Sequence, residues 1–226
     1  MNVTIDDDSG ILEDNYLASN VPTWNLGGRP EVSPISVDGT RYNAIFKIIL
    51  TAYSDVTVTT AHFGVDVHSA TTVPMSAAWY KVLRDWGEGS EIDGPEVGAS
   101  DWDFAIRPSV LWDTAGCEGT EGADPDRESV ADGTVSITGV TSDQHLVVTN
   151  TLTQDWIDNS STNFGLLLRP ENPSRIAWRS SQTVAGNKPY FYMEYTEAAP
   201  GWNSNSYYGN RKIASINSPQ RSRRIY

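Results

Sequence analysis

Apolar and polar residues alternate most cleanly along 56–70 (VTVTTAHFGVDVHSA), where Val56, Val58, Thr60 and His62 share one face and Ala61, Phe63, Val65 and Val67 roughly the other. A period of two is the signature of a half-buried strand. The segment 40–50 (TRYNAIFKIIL) alternates loosely and ends in a continuous apolar run, which predicts a strand buried on both faces in the middle of a sandwich. Shorter runs at 3–5, 79–83, 133–140, 145–152, 164–170, 175–181 and 190–196 read as further strands. Across 148–158 (VTNTLTQDWID) the residues Val148, Leu152 and Trp156 fall at helical spacing, so a short helix is expected there. Eight to ten strands about ten residues apart is the spacing of a sandwich or jelly roll. The expected fold is all-β: a jelly-roll-like antiparallel β-sandwich with a long acidic loop region and an irregular C-terminal tail.

The acidic region follows Trp79 and interrupts the strand pattern. Between Asp85 and Asp132 there are fourteen Asp or Glu against two Arg, with no sustained period. Such composition is usually solvated, yet Trp79, Trp86, Trp102 and Trp112 lie within or beside it and need something to pack on. An ordered acidic loop system laid over a β core reconciles the two. A second change comes at Ala198: all 29 acids precede it, whereas five of the 16 Lys and Arg follow it, making the body −18 and the tail +5. This divides the chain into a β-sandwich domain, 1–197, and a basic aromatic tail, 198–226.

Charge and motif content narrow the function classes. A net charge of −13 disfavours a nucleic-acid-binding body, because phosphate affinity needs clustered Lys and Arg. Cys117 is the single cysteine, so no internal disulfide is expected and the thiol reads as a small buried residue. The start, MNVTIDDDSG, has neither a basic nor an apolar segment, so no signal peptide is expected, and no apolar run is long enough to span a bilayer. Nucleophile-elbow, zinc-protease and phosphate-loop motifs are lacking, and His62, His68 and His145 stand beside no recognisable nucleophile. A non-catalytic protein is expected. Calcium is the one cofactor the acids suggest: Asp113, Glu118, Glu121, Asp124, Asp126 and Glu128 offer hard oxygen ligands in a Gly-rich segment, with a solvated acidic rim as the competing reading.

Taken in order, several motifs resemble the DNRLRE-type domain, also classed as a carbohydrate-binding module of disaggregatase-related proteins. They are Asp8 with Asn25 to Gly27, IFKIIL, YKVLRDWGEG (80–89), Trp102, the Trp112 to Gly116 loop with Asp124 to Arg127, HLVVTNTLTQDWID followed by NFGLLLRP, RIAWRSS, Lys188-Pro189 and YFYMEY. The match covers about 3–197. The resemblance implies a non-catalytic jelly roll, usually a module of larger secreted or cell-surface proteins, that binds sugar. Trp24, Trp102 and Trp178 are then the candidates for exposed aromatic ligand-binding faces.

An outward-facing fold without an expected export signal, bearing a basic aromatic tail, points to a virion surface component: a capsid decoration, cement or fibre protein made in a host cytoplasm. Trp202, Tyr207, Tyr208, Arg211, Lys212, Arg221, Arg223, Arg224 and Tyr226 are the candidate contacts to a partner subunit, since aromatics and Arg are enriched at interfaces. Self-association into a homo-oligomer is expected of a decoration protein. The alternative is a carbohydrate-binding module for cell-surface or extracellular polysaccharide.

Overall fold

The computed structural model describes residues 1–6, 12–70, 74–183 and 188–197, with side chains placed at all of these except 5, 6, 70 and 142. Its strands are β1 (Asn2–Asp6), β2 (Leu12–Ala18), β3 (Glu31–Val32), β4 (Ile35–Val37), β5 (Thr40–Ile48), β6 (Val56–Ala70), β7 (Met75–Lys81), β8 (Phe104–Ile106), β9 (Val110–Leu111), β10 (Gly133–Ile137), β11 (Thr141–Val148), β12 (Leu166–Pro170), β13 (Ser174–Arg179) and β14 (Tyr190–Glu197). One helix, α1 (Asn150–Asp158), lies between β11 and β12.

All the strand pairs are antiparallel. The hydrogen-bonded path runs β1-β14-β6-β13-β4-β5-β12-β7-β10, with β11 added to β6, β2 to β5 and β3 to β13; β8 and β9 form a separate small hairpin. The halves on either side of the β13–β4 junction pack face to face. Phe46 of β5 meets Phe63 of β6 with ring centroids 5.7 Å apart and stacks on Trp178 of β13 at 5.8 Å. Around this contact lie Leu12, Ala44, Ile48, Val65, Met75, Leu166, Leu168, Ile176 and Phe191, all buried. The expected antiparallel β-sandwich is therefore the architecture. The strands outnumber the eight to ten expected because β3, β4, β8 and β9 are pairings of two or three residues, too short to leave a periodic pattern.

The β5 half is buried on its outer face as well. Ala44, Phe46 and Ile48 point into the sandwich, whereas Ile45, with Leu17 of β2 and Leu167 of β12, joins a second cluster containing Val82, Trp86, Ala105, Trp112 and Cys117. The acidic stretch thus supplies its own apolar residues to cover the sheet. That accounts for the consecutive apolar residues Ala44 to Phe46 of β5 and Leu166 to Leu168 of β12, since a strand covered on both sides has no polar face. Trp79, Trp86 and Trp112 are buried, as bracing of the sandwich requires, and Cys117 is fully buried.

The helix forms where its spacing predicts. Thr149 caps it by accepting from the Leu152 N–H at 3.3 Å. Leu152, Trp156 and Ile157 face the core, and Gln154 binds the β6 backbone through Val58 N–H at 3.0 Å and Val56 O at 3.0 Å.

Candidate functional site

A cavity of about 460 Å³ opens where the loop after β2 meets β3, β4, β5 and β13. Cross-strand register builds its floor: Arg175 of β13 stands opposite Ile35 of β4, which stands opposite Tyr42 of β5. Residues directly opposite in antiparallel pairs share a face, so these three side chains line one wall. Tyr16 of β2 packs against Tyr42 with centroids 5.7 Å apart, and Trp24 and Arg29 come from the loop.

The loop holds its shape through buried polar contacts with the acidic stretch. Asn25 is 1% exposed, and its side-chain amide donates to the carbonyls of Glu88 at 2.6 Å and Ser100 at 3.0 Å. Backbone pairing adds Asn25 N–H to Gly94 O at 2.8 Å and Gly28 N–H to Glu91 O at 2.9 Å. A Cβ on Gly27 would lie 2.2 Å from the Glu88 carbonyl oxygen, and one on Gly28 2.0 Å from that of Ser90, so both positions require glycine for close approach. From the other side, Ser180 donates through its hydroxyl to Arg29 O at 2.5 Å.

Trp24 is half-buried, resting on the main core while contributing to the cavity wall. Tyr16 is largely buried, and burial raises its hydroxyl pKa while the charge of the adjacent Arg29 pulls it down. Arg29 also donates through Nε to Ile92 O at 2.6 Å. The arrangement offers aromatic walls, a phenol, two guanidinium groups and the Glu31 carboxylate, a combination able to stack on and hydrogen-bond a polar ring.

The other proposed ligand-binding tryptophans lie elsewhere. Trp178 is fully buried and stacked on Phe46, so the expectation that it presents a face to ligand is corrected: the core needs its ring at the junction of the two halves. Trp102 is partly buried against the second cluster, its ring lying over Gly116, where a Cβ would come within 2.6 Å.

The six acids proposed for calcium do not converge on a point. Asp126 is fully buried; its carboxylate accepts from the N–H groups of Asp113 at 2.7 Å, Thr114 at 2.9 Å and Gly119 at 2.9 Å, and pairs with Arg84 at 3.0 Å. Asp124 pairs with Arg84 at 3.1 Å. Glu118 is surrounded by Arg41 at 3.2 Å, Arg127 at 3.2 Å and Arg169 at 3.0 Å, and accepts from Asn43 Nδ2 at 3.0 Å. Asp113, Glu121 and Glu128 are exposed. Among the described residues no group of three or more His, Cys, Asp or Glu is placed to hold a metal ion. Arginines and backbone N–H groups occupy carboxylate oxygens of Asp126, Asp124 and Glu118 that calcium would use. None of the described helices is long and apolar enough to cross a membrane. The partner contacts expected at Trp202, Tyr207, Tyr208, Arg211, Lys212, Arg221, Arg223, Arg224 and Tyr226 lie outside the described residues.

A second aromatic group, unanticipated from sequence, stands on the outer face of the β6 half. His62 lies 3.9 Å from the His145 ring and 4.9 Å from the Tyr192 ring, both stacked, and Tyr190 donates to Asp143 at 2.7 Å. Here the rings cover one another: both faces of His62 are taken, and the Tyr190 ring lies over Gly64. In the Trp24 cavity, by contrast, the aromatic residues border open volume. Neither a protein-family model nor a curated protein matches this chain, so a functional reading has to rest on the site itself.

Proposed function

We propose that this chain is a non-catalytic saccharide-binding protein whose ligand enters the cavity bordered by Trp24, Tyr16 and Tyr42. The supporting observation is the union of a half-buried tryptophan with tyrosines and polar side chains around about 460 Å³ of open volume, on a loop tied to the sandwich and the acidic stretch by buried hydrogen bonds. Sugar rings bind to such surfaces because their axial C–H groups pack on aromatic faces while hydroxyls exchange hydrogen bonds with the rim. The likeness to DNRLRE-type carbohydrate-binding modules favours the same reading. An array of bacterial, plant and animal glycans, probed with the full chain and with Trp24→Ala, tests it. Retention of a glycan that the variant loses by tenfold or more supports the reading; absence of any retained glycan, or unchanged binding by the variant, overturns it.

A second role concerns residues 198–226. The change from a −18 body to a +5 tail rich in aromatics favours docking on a partner subunit, with the sandwich displayed on the outside of a virion or comparable assembly. Under this reading, deleting 199–226 abolishes incorporation into the particle while the melting temperature of the sandwich is retained. Normal incorporation of the truncated chain refutes it.

A further inference from the structure

Pairing of the described arginines with carboxylates is nearly complete, and its two exceptions share one place. Of the eight arginines described, six have a carboxylate partner: Arg41 and Arg127 on Glu118, Arg84 on Asp124 and Asp126, Arg107 on Asp101, Arg169 on Glu118 and Glu171, and Arg179 on Asp66. Arg29 and Arg175 have no carboxylate within ion-pair distance among the described residues, and both line the Trp24 cavity. Acids are abundant enough on this protein to have paired them. The carboxylate of Glu31, on the same cavity, is engaged instead by His68 at 3.0 Å.

We infer that the cavity takes an acidic saccharide, one carrying a ring carboxylate or a sulfate ester, with Arg29 and Arg175 as the groups that grasp the anion. This inference rests on the saccharide reading above and narrows it. A guanidinium presents a planar fork of N–H donors that matches carboxylate or sulfate oxygens two at a time. Arg29 is oriented by its hydrogen bond to Ile92 O, and Arg175 stands at the cavity on a strand whose backbone the β13–β4 register fixes. The body's acidity gives the site selectivity as well. A polyanion is repelled over most of the surface and attracted at this cavity, so the acidic group is directed to one place. Tyr16, Trp24 and Tyr42 would then receive the sugar ring to which the anion is attached.

The test is an array bearing oligogalacturonate, alginate and hyaluronan fragments, sulfated heparin fragments, and neutral xylo-, manno- and cello-oligosaccharides, probed with the full chain and with Arg29→Gln, Arg175→Gln and the double variant. The expected result is binding confined to acidic glycans, falling at least tenfold for each arginine removed, as the loss of one charge-assisted hydrogen-bonded contact implies. Hits on uronates alone assign a carboxylate; hits on sulfated fragments alone assign a sulfate. Arg175→Gln should melt with the parent, because Arg175 has no ion-pair partner to lose among the described residues. Arg29→Gln should melt only slightly lower, since it gives up the exposed hydrogen bond to Ile92 O. A tenfold loss of binding at a temperature where both variants stay folded is then a loss of contact with the ligand. Binding of neutral glycans that the double variant leaves unchanged overturns the inference while the saccharide reading stands. Acidic binding that survives the double substitution places the anion elsewhere, on the basic tail, and also overturns it. No binding of any glycan removes both readings together.

Discussion

The side-chain amide of Asn25 donates to the carbonyl oxygen of Glu88 at 2.6 Å, joining the cavity loop to a segment 63 positions later in the chain. The same amide reaches Ser100 O at 3.0 Å, and Asn15 of β2 donates to Ser100 O at 3.2 Å beside it. The acidic stretch is therefore the scaffold on which the candidate site is mounted. Asn25→Ala removes the shorter of two donors from each carbonyl, leaving Ser100 O with Asn15 at 3.2 Å and Glu88 O with Asn15 at 3.5 Å, which costs about 1 kcal/mol. For a domain of this size each 1 kcal/mol lowers the melting temperature by about 2–4 °C. Hydrogen exchange should accelerate in residues 19–30 and 88–100 together. Unchanged melting and exchange would show that the contact holds nothing in place.

Glu118 is the electrostatic hub of the layer over β5 and β12. Burial pushes its carboxyl pKa up, but the hydrogen bond from Asn43 and the charges of Arg169, Arg127 and Arg41 outweigh this, and the net shift is downward. A carboxyl whose pKa is lower in the folded state stabilises the fold above its unfolded pKa, and that contribution disappears as pH falls through the folded value. Glu118→Gln leaves three arginines without their common partner and should cost about 3 kcal/mol near neutral pH. The gap between variant and parent, followed by urea denaturation, should close as pH is lowered below the ordinary glutamate range of about 4.3. A gap that stays constant down to pH 3 would contradict the charge-based account.

Trp24 and Trp178 should separate binding from stability. Trp178 is fully buried and stacks on Phe46, so Trp178→Ala opens a cavity and should cost about 3–5 kcal/mol. Glycan binding by the fraction still folded should be retained. Trp24 is half-buried at the edge of the same core, and its replacement by alanine should cost less stability while abolishing binding. Equal effects of the two substitutions on affinity would mean that the Trp24 ring is not a contact surface.

The legible parts of this fold are those where one physical demand dominates. β6 alternates because one face is wet, and β5 carries Ala44, Ile45 and Phe46 in succession because both of its faces are covered there. The acidic stretch is expected to be ordered because its tryptophans need cover, and Trp86 and Trp112 find it on β2, β5 and β12. β2 leaves no clear pattern because Asp14 and Asn15 are polar and yet only 1% exposed each, satisfied by partners far along the chain such as Ser181 and Ser100. The same non-locality explains the acids. Asp126 and Glu118 look like metal ligands in the linear sequence, whereas Arg41, Arg84, Arg127 and Arg169, which neutralise them, are scattered over 128 residues. Within the candidate site Trp24 is identifiable as a loop tryptophan. Tyr16, Tyr42 and Arg175 are not, since strand register brings them together and no local spacing does, nor is Arg29, which the loop's contacts with the acidic stretch place beside them.

Glu88 supplies a pH dependence of opposite sign to that of Glu118. Its carboxylate accepts from the Asp14 N–H at 3.0 Å, from Ser181 Oγ at 3.3 Å and from Gln182 Nε2 at 3.4 Å. Burial nevertheless pushes its pKa up from 4.5 to about 7, with the nearby Glu13 charge adding to the rise and those hydrogen bonds opposing it. Between these two values the folded protein holds a proton that the unfolded chain has released, so stability falls as pH rises across the window and levels off above it. Glu88→Gln keeps an acceptor for the Asp14 N–H and removes the cost of ionisation. Solvent screening of this partly exposed group limits the gain to about 1 kcal/mol, or about 2–4 °C in melting temperature. Melting curves of parent and variant should coincide near pH 4.5 and diverge by pH 8, with the glutamine protein the more stable. A variant that melts below the parent at pH 8 would show that the ionised carboxylate, through its contacts with β2 and the segment after β13, stabilises the fold despite its burial.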